Sequence, residues 1–165
     1  MPHNMPQPEF IPMRRTDRQL SEGEALGILS EGIYGTLCTI GENGYPSGTP
    51  LNYADDGGNI YVHLAAGNAL FGVRHNQKVG FTVVTRADVI PHEFVTNYES
   101  AMVYGAAEEL HGREKFDALH LLVKKYCADI EKDGVDYIRE DIDNCHVLRI
   151  RIEHITGKAR RPAEV

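Results

Sequence analysis

The segment YVHLAAGNAL, residues 61–70, contains the side chains with the clearest potential for chemistry. His63 lies near the end of a predicted strand, and a histidine can give or accept a proton near neutral pH. Gly67 and Asn68 follow in a turn before a predicted helix at about 69–76. The first N–H groups of a helix favour an anion, so a phosphate-binding turn is one interpretation. An ordinary strand-to-helix turn is the other.

Other catalytic patterns are weaker in this chain. The sequence has no GxSxG nucleophile elbow and no HExxH zinc motif. A Ser/His/Asp or Cys/His site assembled from scattered residues stays open. The histidines do not show metal-ligand spacing on any single predicted element, so we predict no metal site. Those considered are His63, His75, His92, His111, His120, His146 and His154.

The acidic segment DIEKDGVDYIREDIDN, residues 129–144, raises the question of a calcium site. It lacks the DxDxDG pattern with a terminal glutamate that an EF-hand loop requires. We therefore predict a solvated acidic loop. Whether that loop covers an active site is left open by the sequence.

Composition narrows the possible classes of protein. The chain has 165 residues, 42% of them apolar, and a net charge of −7, which favours one domain and argues against binding to nucleic acid. The three cysteines, Cys38, Cys127 and Cys145, are widely spaced and are predicted to be reduced thiols. No segment is typical of a signal peptide or a membrane span, so a cytoplasmic protein without membrane attachment is expected.

Elements that would position these residues can be predicted from residue patterns. Ser21 and Glu24 form a capping box for a short helix that starts near Leu20. From Tyr34 onward, β-branched and aromatic runs alternate with turns, including Asn43-Gly44 and DDGGN. The segment REKFDALHLLVKKY predicts an amphipathic helix, and NCHVLRIRIEHITGKA predicts a closing strand.

The fold class predicted from these elements is mainly β. Six strands in hairpins with short flanking helices favour a closed antiparallel barrel, because closure removes exposed sheet edges. We predict an N-terminal arm at 1–12, which has four prolines, a barrel domain at 13–160 and a short tail at 161–165.

Three sequence blocks together resemble the pyridoxamine 5′-phosphate oxidase-like, FMN-binding split barrels, and most closely the branch of the nitroimidazole-resistance proteins. The blocks are TPLNYADDGGNIYVHLAAGN, RHNQKVGFTVV and FVTNYESAMVYGAAEELHGREKFDALHLLVKKY. MRRTDRQLS and RIRIEHITGKARR fit the same branch, so the resemblance spans roughly 13–160. It implies a six-stranded split β-barrel and a homodimer with two flavins at the interface.

The resemblance also implies roles for individual residues. The backbones of Thr49, Pro50, Leu51 and Asn52 would lie along the isoalloxazine ring, with the strand from Tyr61 through Val62 and His63 to Leu64 beside it. The phosphate turn would comprise Gly67, Asn68 and Ala69. Near the flavin, possible contributors from the second subunit are Tyr98, Glu99 and Ser100. His63 matches the strand histidine that lies beside the cofactor in that branch.

One departure from the family pattern concerns charge. Family members commonly have a basic residue just after the glycine, where this chain has Asn68 and Ala69. Without that cation, a bound phosphate loses charge-assisted hydrogen bonds worth about 1.5–3 kcal/mol each. Arg74, or Arg14 and Arg15 near the N-terminus, are candidates to compensate.

The resemblance and these residues predict an FMN-dependent oxidoreductase that reduces a small aromatic or nitroaromatic compound, with NAD(P)H as a possible electron donor. His63 would be the proton donor, or would only pack against the ring. The vitamin B6 oxidase reaction is not expected, because basic clusters for a phosphorylated substrate are missing. Alternatives are a non-catalytic flavin- or haem-binding module, and a split barrel that has lost its cofactor.

Overall fold

The computed structural model of the protein describes residues 10–162. Residues 1–9 of the predicted arm and 163–165 of the predicted tail lie outside the described residues. Phe10, at the start of the described chain, stacks on the His154 ring with 4.2 Å between ring centroids. The chain therefore contacts the body of the protein from the first described residue.

The strands of the described chain mostly follow one another in hairpins, and most of the helical residues lie in its second half. The seven strands of this part are β1 (Gln19–Leu20), β2 (Tyr34–Ile40), β3 (Pro46–Asp55), β4 (Asn59–Leu64), β5 (Lys78–Ile90), β6 (Val95–Glu109) and β7 (His146–Arg160). The α-helices are α1 (Glu22–Glu31), α2 (Asn68–His75), α3 (Gly112–Tyr126) and α4 (Glu131–Asp141). Short 3₁₀ turns are Thr16–Arg18, Pro91–Glu93, Ala128–Ile130 and Ile142–Asn144.

All the strands belong to one antiparallel sheet that closes into a split β-barrel. The strand order is β1-β7-β4-β3-β2-β5-β6, and an additional pairing of β7 with β6 closes the barrel. The predicted fold class is confirmed, although the strand count of six is wrong by one. The extra strand is the two-residue β1, which pairs with Lys158 and Gly157 of β7 and is too short to give a sequence pattern.

The barrel encloses the main hydrophobic core, to which α1 and α2 contribute. Tyr53, Phe81 and Ile150 are fully buried in it. A second cluster lies on the outside of β3, β4 and β7, where Ala54, Leu119, Leu122, Ile138 and Val147 pack together. α3 therefore packs against the outer face of β3 and β4, beside the exposed His63, and α4 packs on α3.

The acidic segment 129–144 is not a loop, and this prediction was wrong. Residues Glu131–Asp141 form α4, in which Ile138 is 5% exposed. Gly134, Ile138 and Ile142 recur every four residues and therefore share one face of the helical segment. That face contacts α3, because Gly134 lies against the Val123 side chain. The charges occupy the other faces and conceal this apolar stripe in the sequence.

The connection between β5 and β6 is a short turn. Only Pro91–Phe94 lie between the two strands. The reason is that the pairing of β5 with β6 continues up to the turn, with Val89 opposite Thr96 and Asp88 opposite Asn97. Phe94 completes the turn in the left-handed conformation, with φ of 55°.

The capping, turn and helix predictions that position the site are confirmed. Ser21 and Glu24 form the reciprocal capping box of α1. Gly44 and Gly57 adopt positive φ values of 78° and 84° in the two predicted tight turns. No helix of residues 10–162 is both long and apolar enough to span a membrane.

Gly105 allows β6 and β7 to approach each other closely at the bulge opposite Glu153. A Cβ at this position would overlap the Arg151 carbonyl oxygen. We expect Gly105→Ala to lower the free energy of unfolding by about 1–3 kcal/mol, the usual cost of overpacking, measured by denaturant titration. Gly27→Ala is the matched control, because a Cβ there meets no atom within 4 Å. In a helix interior, alanine should instead stabilise by roughly 0.5–1 kcal/mol. Equal effects of the two substitutions would contradict this interpretation.

Candidate functional site

The barrel is split beside β3. Residues Pro46–Asn52 of β3 pair with β2 along one edge. β4 pairs only with Tyr53–Asp55, through Val62, Tyr61 and Ile60. Within residues 10–162, the other edge of Pro46–Asn52 therefore has no strand partner. Its backbone N–H and C=O groups are available to a ligand, because an unpaired sheet edge presents such groups in a row.

His63 lies at one end of this free edge, beside a cavity of about 430 Å³. We call it the helix cavity, because it is enclosed mainly by α3, α4 and the 3₁₀ turn that follows α4. It is lined by Asn52, His63, Leu119, Leu122, Val123, Tyr126, Cys127, Tyr137, Ile138, Asp141, Ile142 and Cys145. The His63 side chain is exposed, and most of the lining is apolar. A histidine next to an apolar cavity is suited to proton exchange with a bound molecule.

Asn52 and Tyr126, which both line the helix cavity, hold this end of β3 in place. The Asn52 amide donates to the Ile33 carbonyl at 3.0 Å. The Tyr126 hydroxyl lies 2.6 Å from the same carbonyl oxygen and accepts a hydrogen bond of 3.0 Å from the backbone N–H of Tyr53. The last turn of α3 therefore fixes the point at which β3 leaves β4.

A second and larger cavity, of about 860 Å³, lies at the other end of the free edge. We call it the hairpin cavity, because the turn between β2 and β3 forms one wall and α2 forms the other. It is lined by Gly41, Glu42, Asn43, Tyr45, Ser47, Asn68, Phe71, Gly72, Arg74 and His75. Gly72 brings α2 close to Thr39 of β2, where a Cβ would meet Oγ1 at 2.5 Å. Asn52 and Ser47, at the two ends of the free edge, thus line different cavities.

The predicted phosphate turn lies at the start of α2, which begins at Asn68 after the N-cap residue Gly67. No side chain of residues 10–162 caps this end, so the first N–H groups are not satisfied in that way. The space beside Gly67 is open, because a Cβ there would meet no atom within 4 Å. Asn68 is exposed, whereas Ala69 is 4% exposed. The arrangement fits an anion held by backbone groups.

Arg74 does not supply a free cation to this turn. It lies in the last turn of α2, and its guanidinium donates to Glu109 at 2.9 and 3.2 Å. Glu109 also lies 2.6 Å from Nδ1 of His146. Hydrogen bonds with His146 and Arg74 lower the pKa of the Glu109 carboxyl below its ordinary value, so it stays ionised and retains Arg74. Arg15 is likewise paired with Asp17, at 2.6 Å.

The strand residues predicted to flank the ring divide between the two faces of β4. Val62 is fully buried in the barrel core and Leu64 is 8% exposed, so only their backbones could face a ligand. Tyr61 lies on the outer face, where its hydroxyl donates to Asp56 at 2.7 Å. Burial and this hydrogen bond raise the pKa of Tyr61 to about 12. In β3, Leu51 packs against the barrel core, while Thr49 is half-buried and Pro50 exposed.

Tyr98, Glu99 and Ser100 lie on β6, away from both cavities within this chain. The Glu99 carboxylate accepts a hydrogen bond of 2.8 Å from Arg161. The Ser100 hydroxyl donates to the Lys158 carbonyl at 3.3 Å. These residues are therefore brought together with β7 and the C-terminal segment, not with His63.

Several site residues escaped the sequence analysis. Tyr45 and Phe71 are 74% and 57% exposed and line the hairpin cavity, and Ile138, Ile142 and Tyr137 line the helix cavity. The spacing of four residues between Ile138 and Ile142 was the available signal for the second group. No sequence signal was available for Tyr45 and Phe71, because the β2–β3 turn and α2 come together at the hairpin cavity only in the folded chain.

Chemistry by a metal or a reactive thiolate is not favoured by this arrangement. Among residues 10–162, no three His, Cys, Asp or Glu side chains are grouped in a way that could hold a metal ion. Cys127 and Cys145 line the helix cavity, and burial raises the pKa of the Cys145 thiol. A thiol with a raised pKa stays protonated and is a poor nucleophile at neutral pH.

Comparison with known proteins adds a family match. Residues 21–159 match the family model described as "Pyridoxamine 5′-phosphate oxidase". A search of the curated proteins finds no match.

Solved structures with the same fold include proteins of different descriptions. One, from Bacteroides thetaiotaomicron, is described as a 5-nitroimidazole antibiotic resistance protein; it is 19% identical, with 85% of each chain covered and a TM-score of 0.69. A FAD-binding protein from Mesorhizobium loti is 23% identical, covering 87% of this chain and 98% of its own, with a TM-score of 0.63. A FAD and haem binding protein from Mycobacterium smegmatis is 17% identical, covering 90% and 77%, with a TM-score of 0.72. At these identities the likeness shows the fold.

Proposed function

The chain belongs to the pyridoxamine 5′-phosphate oxidase family, and on that premise we propose that it is a flavin-dependent oxidoreductase that reduces a small aromatic or nitroaromatic compound. The family predicted from the sequence is thereby confirmed. The observation that carries the proposal is the free edge of β3, which runs between two cavities, with His63 at one end and the hairpin cavity at the other.

FMN is the flavin that we propose for this site, and the residues present fit it. The free backbone edge of Thr49–Asn52 offers hydrogen bonds to a flat heteroaromatic ring. The uncapped start of α2, with open space beside Gly67, offers backbone N–H groups to the phosphate. A bound flavin supplies the electron transfer. The protein would supply the position of the ring, a mainly apolar cavity beside it and a proton source.

His63 would act as that proton source. It is the one histidine that lines the helix cavity among the described residues, and it lies on β4 next to the free edge. A reduced aromatic acceptor needs protons as well as electrons, and a histidine can deliver one near neutral pH. NAD(P)H is the electron donor that we propose.

A second copy of the chain would complete the site, because the described residues 10–162 leave most of one outer face of the sheet uncovered, with Phe10 lying on its His154 end. Directly paired residues of an antiparallel sheet lie on the same face. One row across this face comprises Gly48, Cys38, Gly80, Tyr104 and His154. The next comprises Pro50, Thr36, Thr82, Met102 and Thr156. Apart from Tyr104 and His154, these side chains are small or apolar, and the two rows carry no carboxylate or lysine, which suits a homodimer interface. In such a dimer, Tyr98–Ser100 of one copy would approach the flavin of the other.

Flavin uptake tests the proposal directly. Purified protein titrated with FMN should quench the flavin fluorescence with 1:1 stoichiometry per chain and shift the melting temperature upward, because a ligand that binds only the folded state stabilises it. The loaded protein should bleach with NAD(P)H and regain its absorbance when a nitroaromatic compound is added. A protein that takes up neither FMN nor FAD would contradict the proposal.

Other outcomes of the same experiment identify the alternatives. Flavin that binds but is not reoxidised by nitroaromatic compounds would indicate a binding module without turnover. A Soret band after haem addition would indicate a haem-binding module, in which the His63 imidazole would be a residue able to hold the iron. A colourless protein with no uptake would indicate a barrel that has lost its cofactor.

A further inference from the structure

We infer that the helix cavity is the site of the substrate to be reduced, and that it admits uncharged or cationic ring compounds and excludes anions. The inference rests on the proposed function and deepens it, because it assigns the substrate class to a cavity and to the acidic helix above it.

The shape and lining of the cavity favour a compact apolar ring. Its volume of about 430 Å³ is at the small end of the range of roughly 300–1,000 Å³ in which proteins bind drug-sized ligands. Leu119 and Leu122 of α3 face Ile138 of α4 across it, and these three side chains are 5–8% exposed. Polar groups come from Asn52 and His63 on the strands and from Tyr137 and Asp141 on α4. Such a site buries a ring and orients one polar substituent toward His63.

The segment that covers one side of the cavity is mainly acidic. Residues 129–144 carry seven acidic and two basic side chains, a net charge of −5. Asp141 lines the cavity itself. The Lys115 ammonium donates to the Cys145 carbonyl at 2.6 Å, and the Lys125 ammonium lies 4.0 Å from the centroid of the Tyr53 ring. Within residues 10–162 no lysine or arginine lines the cavity, so a bound carboxylate or phosphate would meet the Asp141 carboxylate without an ammonium or guanidinium group in the lining to offset the repulsion.

This charge selection is independent of the flavin phosphate. That phosphate is proposed at the start of α2, in contact with the hairpin cavity, whereas α4 lies over the helix cavity. The chain therefore separates an anion-accepting end from an anion-excluding end. An anionic electron donor such as NAD(P)H would transfer its electrons without its phosphates entering the helix cavity.

Equilibrium dialysis of the purified protein against three matched probes tests this inference without turnover. The probes are 4-nitrobenzyl alcohol, 4-nitrobenzoate and (4-nitrobenzyl)trimethylammonium, which share one ring and differ in charge. We expect the anion to bind at least tenfold more weakly than the neutral probe at low salt. The difference should shrink at high salt, because exposed charges are screened. An anion that binds as tightly as the neutral probe would overturn the inference.

Variants locate the site. Ile142→Trp should fill the cavity and weaken binding of the neutral probe at least tenfold, while Ile142→Ala should retain it. Glu140→Gln combined with Asp141→Asn should reduce the discrimination against 4-nitrobenzoate several-fold. Glu22→Gln on α1 is the control for a charge change elsewhere, and it should leave the discrimination unaltered. Unchanged probe binding in Ile142→Trp, with circular dichroism like that of the parent protein, would overturn the assignment.

Flavin uptake is measured separately on the same proteins. Failure of uptake would overturn the proposed function, whereas the dialysis would still support or overturn the charge selection of the cavity. Ile142→Trp should bind FMN within twofold of the parent protein, because Ile142 is not part of the free β3 edge.

Discussion

Replacing His63 by alanine is expected to lower kcat for nitroaromatic reduction by about 10²–10⁴-fold, the usual contribution of a positioned general acid. His63 is exposed on β4 and lines the helix cavity, so its removal leaves both the barrel core and α3 in place. FMN affinity should stay within twofold, because the proposed ring contacts are backbone groups of β3. Stopped-flow reoxidation of the reduced protein by a nitroaromatic compound measures the step concerned.

Two further variants separate proton donation from simple contact. His63→Gln keeps a hydrogen-bonding side chain of similar size but cannot supply a proton in the same way, so it should be as slow as His63→Ala. His92→Ala is the matched control, because His92 lies in the β5–β6 turn and its side chain is 82% exposed. If His63→Gln reoxidises at the parent rate while His63→Ala is slow, the histidine only contacts the ligand. A parent-like rate in both variants would remove His63 from the reaction.

Local sequence signals predicted the elements that position this site, because each of those signals acts over a few residues. The capping box of Ser21 and Glu24 and the positive-φ glycines Gly44 and Gly57 are defined by neighbours in the chain. The strand that ends at Leu64 and the helix that starts at Asn68 were likewise predictable from residues close together in the chain. These elements place His63 and the proposed phosphate turn in the predicted order.

Features that depend on contacts between distant segments were not predicted. The split beside β3 arises because β4 pairs with β3 only as far as Val62 but with β7 as far as Leu64, and no residue of β3 signals this. The salt bridge between Arg74 and Glu109 joins α2 to β6 across 35 residues of sequence. α4 was not predicted for a different reason. Most of its side chains are charged, so the apolar residues, about one per helical turn, did not stand out in the sequence.

Introducing a cation at the start of α2, as Asn68→Lys, is expected to tighten FMN binding by about 10- to 100-fold. The gain corresponds to one charge-assisted hydrogen bond of roughly 1.5–3 kcal/mol, with about 1.4 kcal/mol per factor of ten. Asn68 is exposed and lines the hairpin cavity, so a lysine there stays hydrated until a phosphate binds. Ala69 is 4% exposed, and a lysine at that position would have to enter the core, which makes Asn68 the better choice.

Gln77→Lys adds the same charge beyond the end of α2 and serves as the control, because Gln77 is exposed and lines neither cavity. Fluorescence titrations at two salt concentrations should show a large gain for Asn68→Lys that falls as salt rises, and a gain of less than twofold for Gln77→Lys. Riboflavin, which lacks the phosphate, should bind the parent protein and Asn68→Lys equally. A similar gain for riboflavin would place the added ammonium against the ring instead of the phosphate. An unchanged FMN affinity would mean that the phosphate does not lie at this turn, so that the uncapped start of α2 serves the fold alone.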